Sequence, residues 1–407
     1  MELELTDTER MLRETFRGYF TREIEPHVPR MESGDLAPYD LMRDMQRTLG
    51  LDALLAPRRA AAGHGAAGEG RAAGAPPEGA AALGLGANTL RYARITFQVE
   101  MARVSPSFAL SYGASVGLFG ATVASKGTRE QIERFVRPVL RFEKIGCWCL
   151  TEPGSGSDAL RGMKTTARRD GDHVVLNGSK TFITNAPYAD LFLVYARLDD
   201  GTPHGSIQPF IVARGTPGLS TGPAMRKMGM RGSPTGEVFL DDCRIPADQL
   251  LGGGVAQRDH VKASLASERV GLAVLSYGIA ERCFEIARDY ARQRRAFGAP
   301  IASYQLVQSR LARMYVAVSN CRRIVYGDYL AGRSLKESLA DVCAGKLYCA
   351  EMGTLVAFEA IHILAGNGYM EEYVVERLAR DAKLIELGGG TTEMQILTIA
   401  REILETP

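Results

Sequence analysis

A net charge of +2 spread over 407 residues leaves no broad basic or acidic face. That argues against nucleic acid as a partner and against an electrostatic grip on a membrane surface. No stretch reads as long and apolar enough to cross a bilayer. The seven cysteines contain no C-x-x-C pair, and Cys147 and Cys149 flank Trp148 in an apolar run. Buried thiols in a reducing cytoplasm are therefore expected, not a disulfide framework. The six histidines include no H-x-x-x-H pair, so no metal site is predicted. The start, Met1-Glu2-Leu3-Glu4, is acidic, unlike a signal or transit peptide. What is present, 45% hydrophobic and 24% charged residues, is the composition of an ordinary globular chain of two or three domains.

Three textures follow one another and predict an α+β fold: an N-terminal helical domain (1–145), a middle antiparallel β-domain (146–250) and a C-terminal helical bundle (251–407). In the first, Thr6 and Glu9 have the spacing of a capping box, and Leu12, Phe16 and Phe20 keep helical steps. The Ala/Gly/Pro-rich segment at about 57–87 cannot bury a core and predicts a connector, with helical patterning resuming at 89–104. In the second, Asp170-Gly171 and Asn177-Gly178 predict hairpin turns. Strands around them and at 191–196, 209–212 and 237–240 predict a small antiparallel barrel or sandwich. In the third, one helix is predicted to end at Phe297-Gly298 with Pro300 beyond. After Gly388-Gly389-Gly390, Thr392 with Gln395 predicts a capping box that opens the last helix.

One carboxylate sits where a helix should bury only apolar groups. Leu265, Leu272, Leu275, Ile279, Cys283, Ile286 and Tyr290 recur at three- and four-residue steps, and Glu268 falls in the same stripe. Desolvation would raise its pKa toward the range useful for proton abstraction, unless an arginine satisfies it. On the stripe alone, catalytic base and ion-paired core residue both stay open. The loop Leu150-Thr151-Glu152-Pro153-Gly154-Ser155-Gly156-Ser157-Asp158 follows an apolar strand. Its Gly154-x-Gly156-x-x-Ala159 formally matches a dinucleotide fingerprint, but no βαβ unit surrounds it. Its backbone N–H groups and the hydroxyls of Thr151, Ser155 and Ser157 suit a phosphate or a flavin edge instead.

Further motifs follow that loop in order: Gly178-Ser179-Lys180-x-Phe182-Ile183-Thr184-Asn185, Lys227-Met228-Gly229-Met230-Arg231-Gly232-Ser233 and Arg294-x-x-Phe297-Gly298. Ala365-Gly366-Asn367-Gly368-Tyr369, Arg380-Asp381-Ala382-Lys383 and Gly390-Thr391-Thr392-Glu393 complete the series. With these motifs the chain resembles the acyl-CoA dehydrogenases, FAD-dependent enzymes that desaturate acyl thioesters, along nearly its whole length outside 57–87. The resemblance implies a C-terminal four-helix bundle, a homotetramer or dimer, acyl-CoA as substrate and electron-transfer flavoprotein as acceptor. It implies that Leu150, Thr151, Gly156 and Ser157, with Phe182, Ile183 and Thr184, wrap the flavin ring. Arg294, Phe297, Gln305 and the backbone near His362 and Gly366 would meet the FAD of a neighbouring subunit. Thr391 and Glu393 would contact FAD at the last helix N-terminus, which attracts negative charge. Ser157 and Arg269 are implied on the substrate side.

Many members of that family carry the catalytic Glu just before the Gly-Thr that opens the last helix, and here that position is Gly389. Enzymes like isovaleryl-CoA dehydrogenase carry it instead in a Glu-Arg pair on the first bundle helix, which Glu268-Arg269 matches. Glu268 is then expected to take the α-proton as the β-hydride moves to flavin N5. A backbone N–H near Gly389 and a ribityl hydroxyl would polarise the thioester carbonyl. Ala266 stands for a frequent Asp and His362 for a frequent Gln, so an acyl group on a carrier protein is an alternative substrate. An oxidase, monooxygenase or desulfinase on the same fold is another; Glu268 argues against types that lack a base. A DNA-associated relative should show a basic face and an added C-terminal domain, and neither is expected.

Overall fold

The computed structural model describes residues 5–51, 86–199, 201, 205–254, 260–328 and 339–405. The expected connector at 57–87 lies, except for its last two residues, outside the described residues. Helix α1 (Asp7–Tyr19) opens with the expected capping box: Glu9 N donates to Thr6 Oγ1 at 3.3 Å, and Thr6 N donates to the Glu9 carboxylate at 3.0 Å. It buries Phe16 against Phe97 of α2 (Ala87–Val104), with ring centroids 5.4 Å apart. Shorter helical turns fill 28–49 and 106–140.

The middle of the chain forms one seven-stranded sheet: β1 (Gly146–Cys149), β2 (Thr166–Asp170), β3 (His173–Thr184), β4 (Leu191–Leu198), β5 (Ser206–Ala213), β6 (Leu219–Thr221) and β7 (Thr235–Pro246). Its order is β1-β4-β2-β3-β7-β6, with β5 paired to β4. Most pairs are antiparallel, but β1 and β2 both run parallel to β4, so the sheet is mixed where an all-antiparallel one was expected. β3, antiparallel to β2, returns the chain so that β4 can run parallel to both β1 and β2. Asp170-Gly171 turns β2 into β3 as expected. Asn177-Gly178 does not turn. β3 runs straight through it with a shift of register against β7, and the Asn177 amide donates to the Asp242 carboxylate at 3.0 Å. A Cβ on Gly178 would lie 2.8 Å from Thr165 Cα, so close backbone approach, not a hairpin, explains the glycine. Cys147 and Cys149 are buried free thiols, as expected.

The C-terminal region comprises α3 (His260–Gln293), α4 (Gln305–Arg322), α5 (Leu339–Leu364), α6 (Val375–Leu387) and α7 (Thr392–Glu405). α5 packs against the other four, and α3 also packs on α2. Gly278 permits that approach, since a Cβ there would lie 2.8 Å from Val99 O. α3 ends at Gln293, earlier than expected. Phe297 (φ 49°) and Gly298 (φ 82°) are the turn of a small hairpin between β8 (Arg295–Ala296) and β9 (Ala299–Pro300). The cap of α7 also moves by one residue: Thr391, not Thr392, accepts at its Oγ1 from Met394 N at 3.4 Å. Two segments, Pro106–Lys126 and Leu339–Tyr369, do reach the length and apolarity of a membrane span, contrary to expectation. The folded chain buries 67% and 44% of their most apolar windows, as core helices do.

Two of the motifs serve the fold. A Cβ on Gly229 would lie 2.4 Å from Arg380 O, and Met230 N donates to the buried Asp381 carboxylate. Lys227–Ser233 and Arg380–Lys383 thus lock the sheet region onto α6. Arg103, Glu100, Glu281 and Glu285 form a buried network joining α2 to α3, with Arg103 Nη1 2.6 Å from Glu281.

Candidate active site

Glu268 lies one turn before Leu272 on α3 and faces the glycine turn between α6 and α7. A Cβ built on Gly389 would lie 3.5 Å from both Cγ and Cδ of Glu268, and 2.5 Å from Leu272 Cδ1. Gly389 has φ 63° and Gly390 φ 88°, conformations that suit glycine. The carboxylate and the turn are therefore in contact, with no room for a side chain at 389. Burial pushes the Glu268 carboxyl up to about 7, against the pull of Arg269 and Lys346. The residue as a whole keeps some solvent exposure, while its carboxyl end is enclosed by protein. The structure thus brings the two sequence-predicted catalytic positions together.

Lys346 went unpredicted. It is fully buried on α5, and its Nζ donates to Gly390 O at 2.8 Å. Burial lowers its pKa to about 8. The signal was in the sequence, because Lys346 sits in an apolar helix just as Glu268 does. Gln395 had been expected to complete a capping box; instead its Nε2 donates to the carbonyls of Gly389 at 3.1 Å and Gly390 at 2.8 Å. Glu386 is committed elsewhere, accepting from Thr354 Oγ1 and Lys383 Nζ.

A second cluster forms at the end of β1. Lys180 is buried and donates to Leu150 O at 3.1 Å and to Glu152 at 2.9 Å. The Glu152 carboxylate also accepts from Lys164 N and Thr165 N. These donors hold Glu152 below the usual carboxylate range even though burial opposes it. Thr181 N donates to Thr151 O at 3.0 Å. Leu150 and Thr151 are thereby set beside the strand that carries Phe182, Ile183 and Thr184, while Gly156 and Ser157 lie further along the same loop. Ser155 does not belong with the ligand donors expected of this loop, because it is buried and its hydroxyl donates to Asp158 at 2.9 Å.

The remaining predicted residues stand apart. Arg294, Phe297, Gln305, His362 and Gly366 are exposed, Phe297 at 97%. Gln293, beside Arg294, is 25 residues along α3 from Glu268, roughly 37 Å at 1.5 Å per residue. Glu393 is exposed on the first turn of α7, where the backbone N–H and Thr391 lower its pKa. Thr392 Oγ1 and Arg269 Nε are buried without a hydrogen-bond partner. Among the described residues no His, Cys, Asp and Glu group could hold a metal ion.

A desolvated carboxylate meets a glycine turn, with an arginine and a lysine beside it, on a helix–sheet–helix frame. Family models described as the acyl-CoA dehydrogenase middle domain and C-terminal domain match residues 147–243 and 258–404. A probable acyl-CoA dehydrogenase of Bacillus subtilis is 35% identical over 408 residues, covering 100% of both chains. The mitochondrial isovaleryl-CoA dehydrogenase of Arabidopsis thaliana is 34% identical over 98% of this chain and 92% of its own. A Bacillus anthracis acyl-CoA dehydrogenase solved with FAD superposes with a TM-score of 0.82 at 28% identity, over 98% of this chain and 67% of that one. The chain belongs to the acyl-CoA dehydrogenase family, FAD-dependent oxidoreductases that act on CH–CH bonds.

Proposed function

We propose that this chain removes hydrogen across the α,β bond of an acyl-CoA thioester, with Glu268 as the base that takes the α-proton. The observation that carries this reading is the contact between the Glu268 carboxyl and the glycine turn, where a Cβ on Gly389 would stand 3.5 Å from Cδ. A carboxyl raised to about 7 is matched to neutral pH, being both available as an anion and basic enough to hold a proton. Gln395 and Lys346 occupy the carbonyls of Gly389 and Gly390, and the N–H groups of the turn serve the thioester carbonyl.

The residues fit FAD. Thr392 Oγ1 is a buried hydroxyl in want of a partner at a helix N-terminus, and Phe182 is 68% exposed beside the 150–157 loop. Leu150, Thr151, Gly156, Ser157, Phe182, Ile183, Thr184, Thr391 and Glu393 would hold it from this chain. Arg294, Phe297, Gln305, His362 and Gly366 would hold the FAD of a neighbouring subunit. FAD, when bound, supplies the acceptor for the β-hydride. Ser157 and Arg269 face the substrate in this reading, a homotetramer or dimer completes the site, and electron-transfer flavoprotein re-oxidises it.

Glu268→Gln tests the base. The variant is expected to keep its flavin and thioester binding while flavin reduction by isovaleryl-CoA falls by several orders of magnitude, because an amide accepts no proton. Reduction at the parent rate, with loss instead in Glu386→Gln, overturns the assignment.

A further inference from the structure

We propose that Lys346 is the positioning residue of this site, tying the Gly389–Gly390 turn to α5 and placing a positive charge where it keeps Glu268 ionisable. This rests on the reading of Glu268 as base.

A buried ammonium is costly unless something is gained by keeping it. Lys346 is fully buried, yet its bond at 2.8 Å goes to the neutral carbonyl of Gly390. Among the described residues no carboxylate lies within ion-pair distance of it, so its charge is not cancelled locally. That charge faces Glu268 and Arg269 from α3, Glu386 from α6 and Cys343 on its own helix. Glu386 is already engaged by Lys383 at 2.8 Å and by Thr354, which leaves Glu268 as the facing carboxylate not otherwise bonded to a cation. Gly390 O also receives Gln395, so the turn is pinned from α5 and from α7 at once. The same turn carries the glycine that contacts Glu268. One side chain therefore fixes the height of the turn and biases the ionisation of the base beneath it.

Three substitutions in the holoenzyme separate these roles. Lys346→Met removes bond and charge, Lys346→Gln keeps a donor for Gly390 without charge, and Lys346→Arg keeps the charge. The readouts are the pH profile of flavin reduction by isovaleryl-CoA and the pH dependence of Tm. Met and Gln are expected to move the rising limb of the profile up by about one pH unit, and Arg to restore it. Met alone is expected to raise KM as well, because it leaves the turn held by Gln395 only. A carboxyl raised in the folded state stabilises below its ordinary pKa and loses that contribution as pH rises through the folded value. The fall in Tm should accordingly extend to higher pH in Met and Gln, and vanish in Glu268→Gln. A limb and a Tm profile unchanged in Gln overturn the inference, as does loss of fold or flavin in all three variants. If Glu268→Gln keeps the parent rate, the base assignment fails whatever Lys346 does. If Glu268→Gln is inactive and Gln at 346 is silent, only the role of Lys346 fails.

Discussion

The two ends of α3 are built on opposite terms. Around Glu268 every element needed to tune a base comes from one chain: α3 gives the carboxylate, the α6–α7 turn gives Gly389, and α5 gives Lys346. Around Arg294 the chain offers Phe297 at 97% exposure and Leu306 at 83%, with nothing among the described residues laid over them. A large aromatic held on a hairpin tip gains nothing by facing water, so this end has the character of a surface awaiting a cover. The difference teaches where the chemistry is autonomous and where it depends on assembly. Proton abstraction is prepared within the chain, and retention of FAD is shared between chains in the function proposed here.

The largest effect that would break this contrast is the loss of flavin reduction in Glu268→Gln, measured with the fold and flavin intact. Next is the support beneath the flavin loop. Glu152→Gln leaves Lys180 buried opposite a neutral amide and is expected to cost about 3–5 kcal/mol, read by denaturant unfolding. At the exposed end, Arg294→Ala and Phe297→Ala should weaken flavin retention by roughly tenfold, in line with the loss of one interface anchor. Their circular dichroism should stay unchanged. A monomer that keeps full flavin by sedimentation would erase the contrast. Of similar size is Gly389→Ala, which forces a Cβ to within 2.5 Å of Leu272 Cδ1 at a positive φ. It should lower stability by about 1–3 kcal/mol. For the same reason Gly389→Glu is expected to restore activity to Glu268→Gln only when Leu272→Ala makes room.

Much of this was legible in the sequence because it depends on local periodicity. The Thr6–Glu9 box and the apolar stripe that marks Glu268 are statements about residues three and four apart, and the structure keeps both. Features set by distant partners were lost or misassigned. Asn177-Gly178 has the composition of a hairpin turn, yet β7 and Thr165 make it a bulge. Phe297-Gly298 reads as a helix stop, yet it closes a hairpin four residues after α3 has ended. Lys346 carries the same local mark as Glu268, a charge in an apolar helix, but its partner Gly390 is set by the fold alone.

The central claim, that a single carboxyl near pH 7 limits proton abstraction, is tested most directly by anaerobic single-turnover reduction of the bound flavin, from pH 5 to 9, with an acyl-CoA picked from a panel of thioesters because it bleaches the flavin. The parent rate should rise about tenfold per pH unit below about 7 and level off above it, as Glu268 becomes ionised. A rate that is flat across that range, or a limb that persists unchanged in Glu268→Gln, would contradict the account.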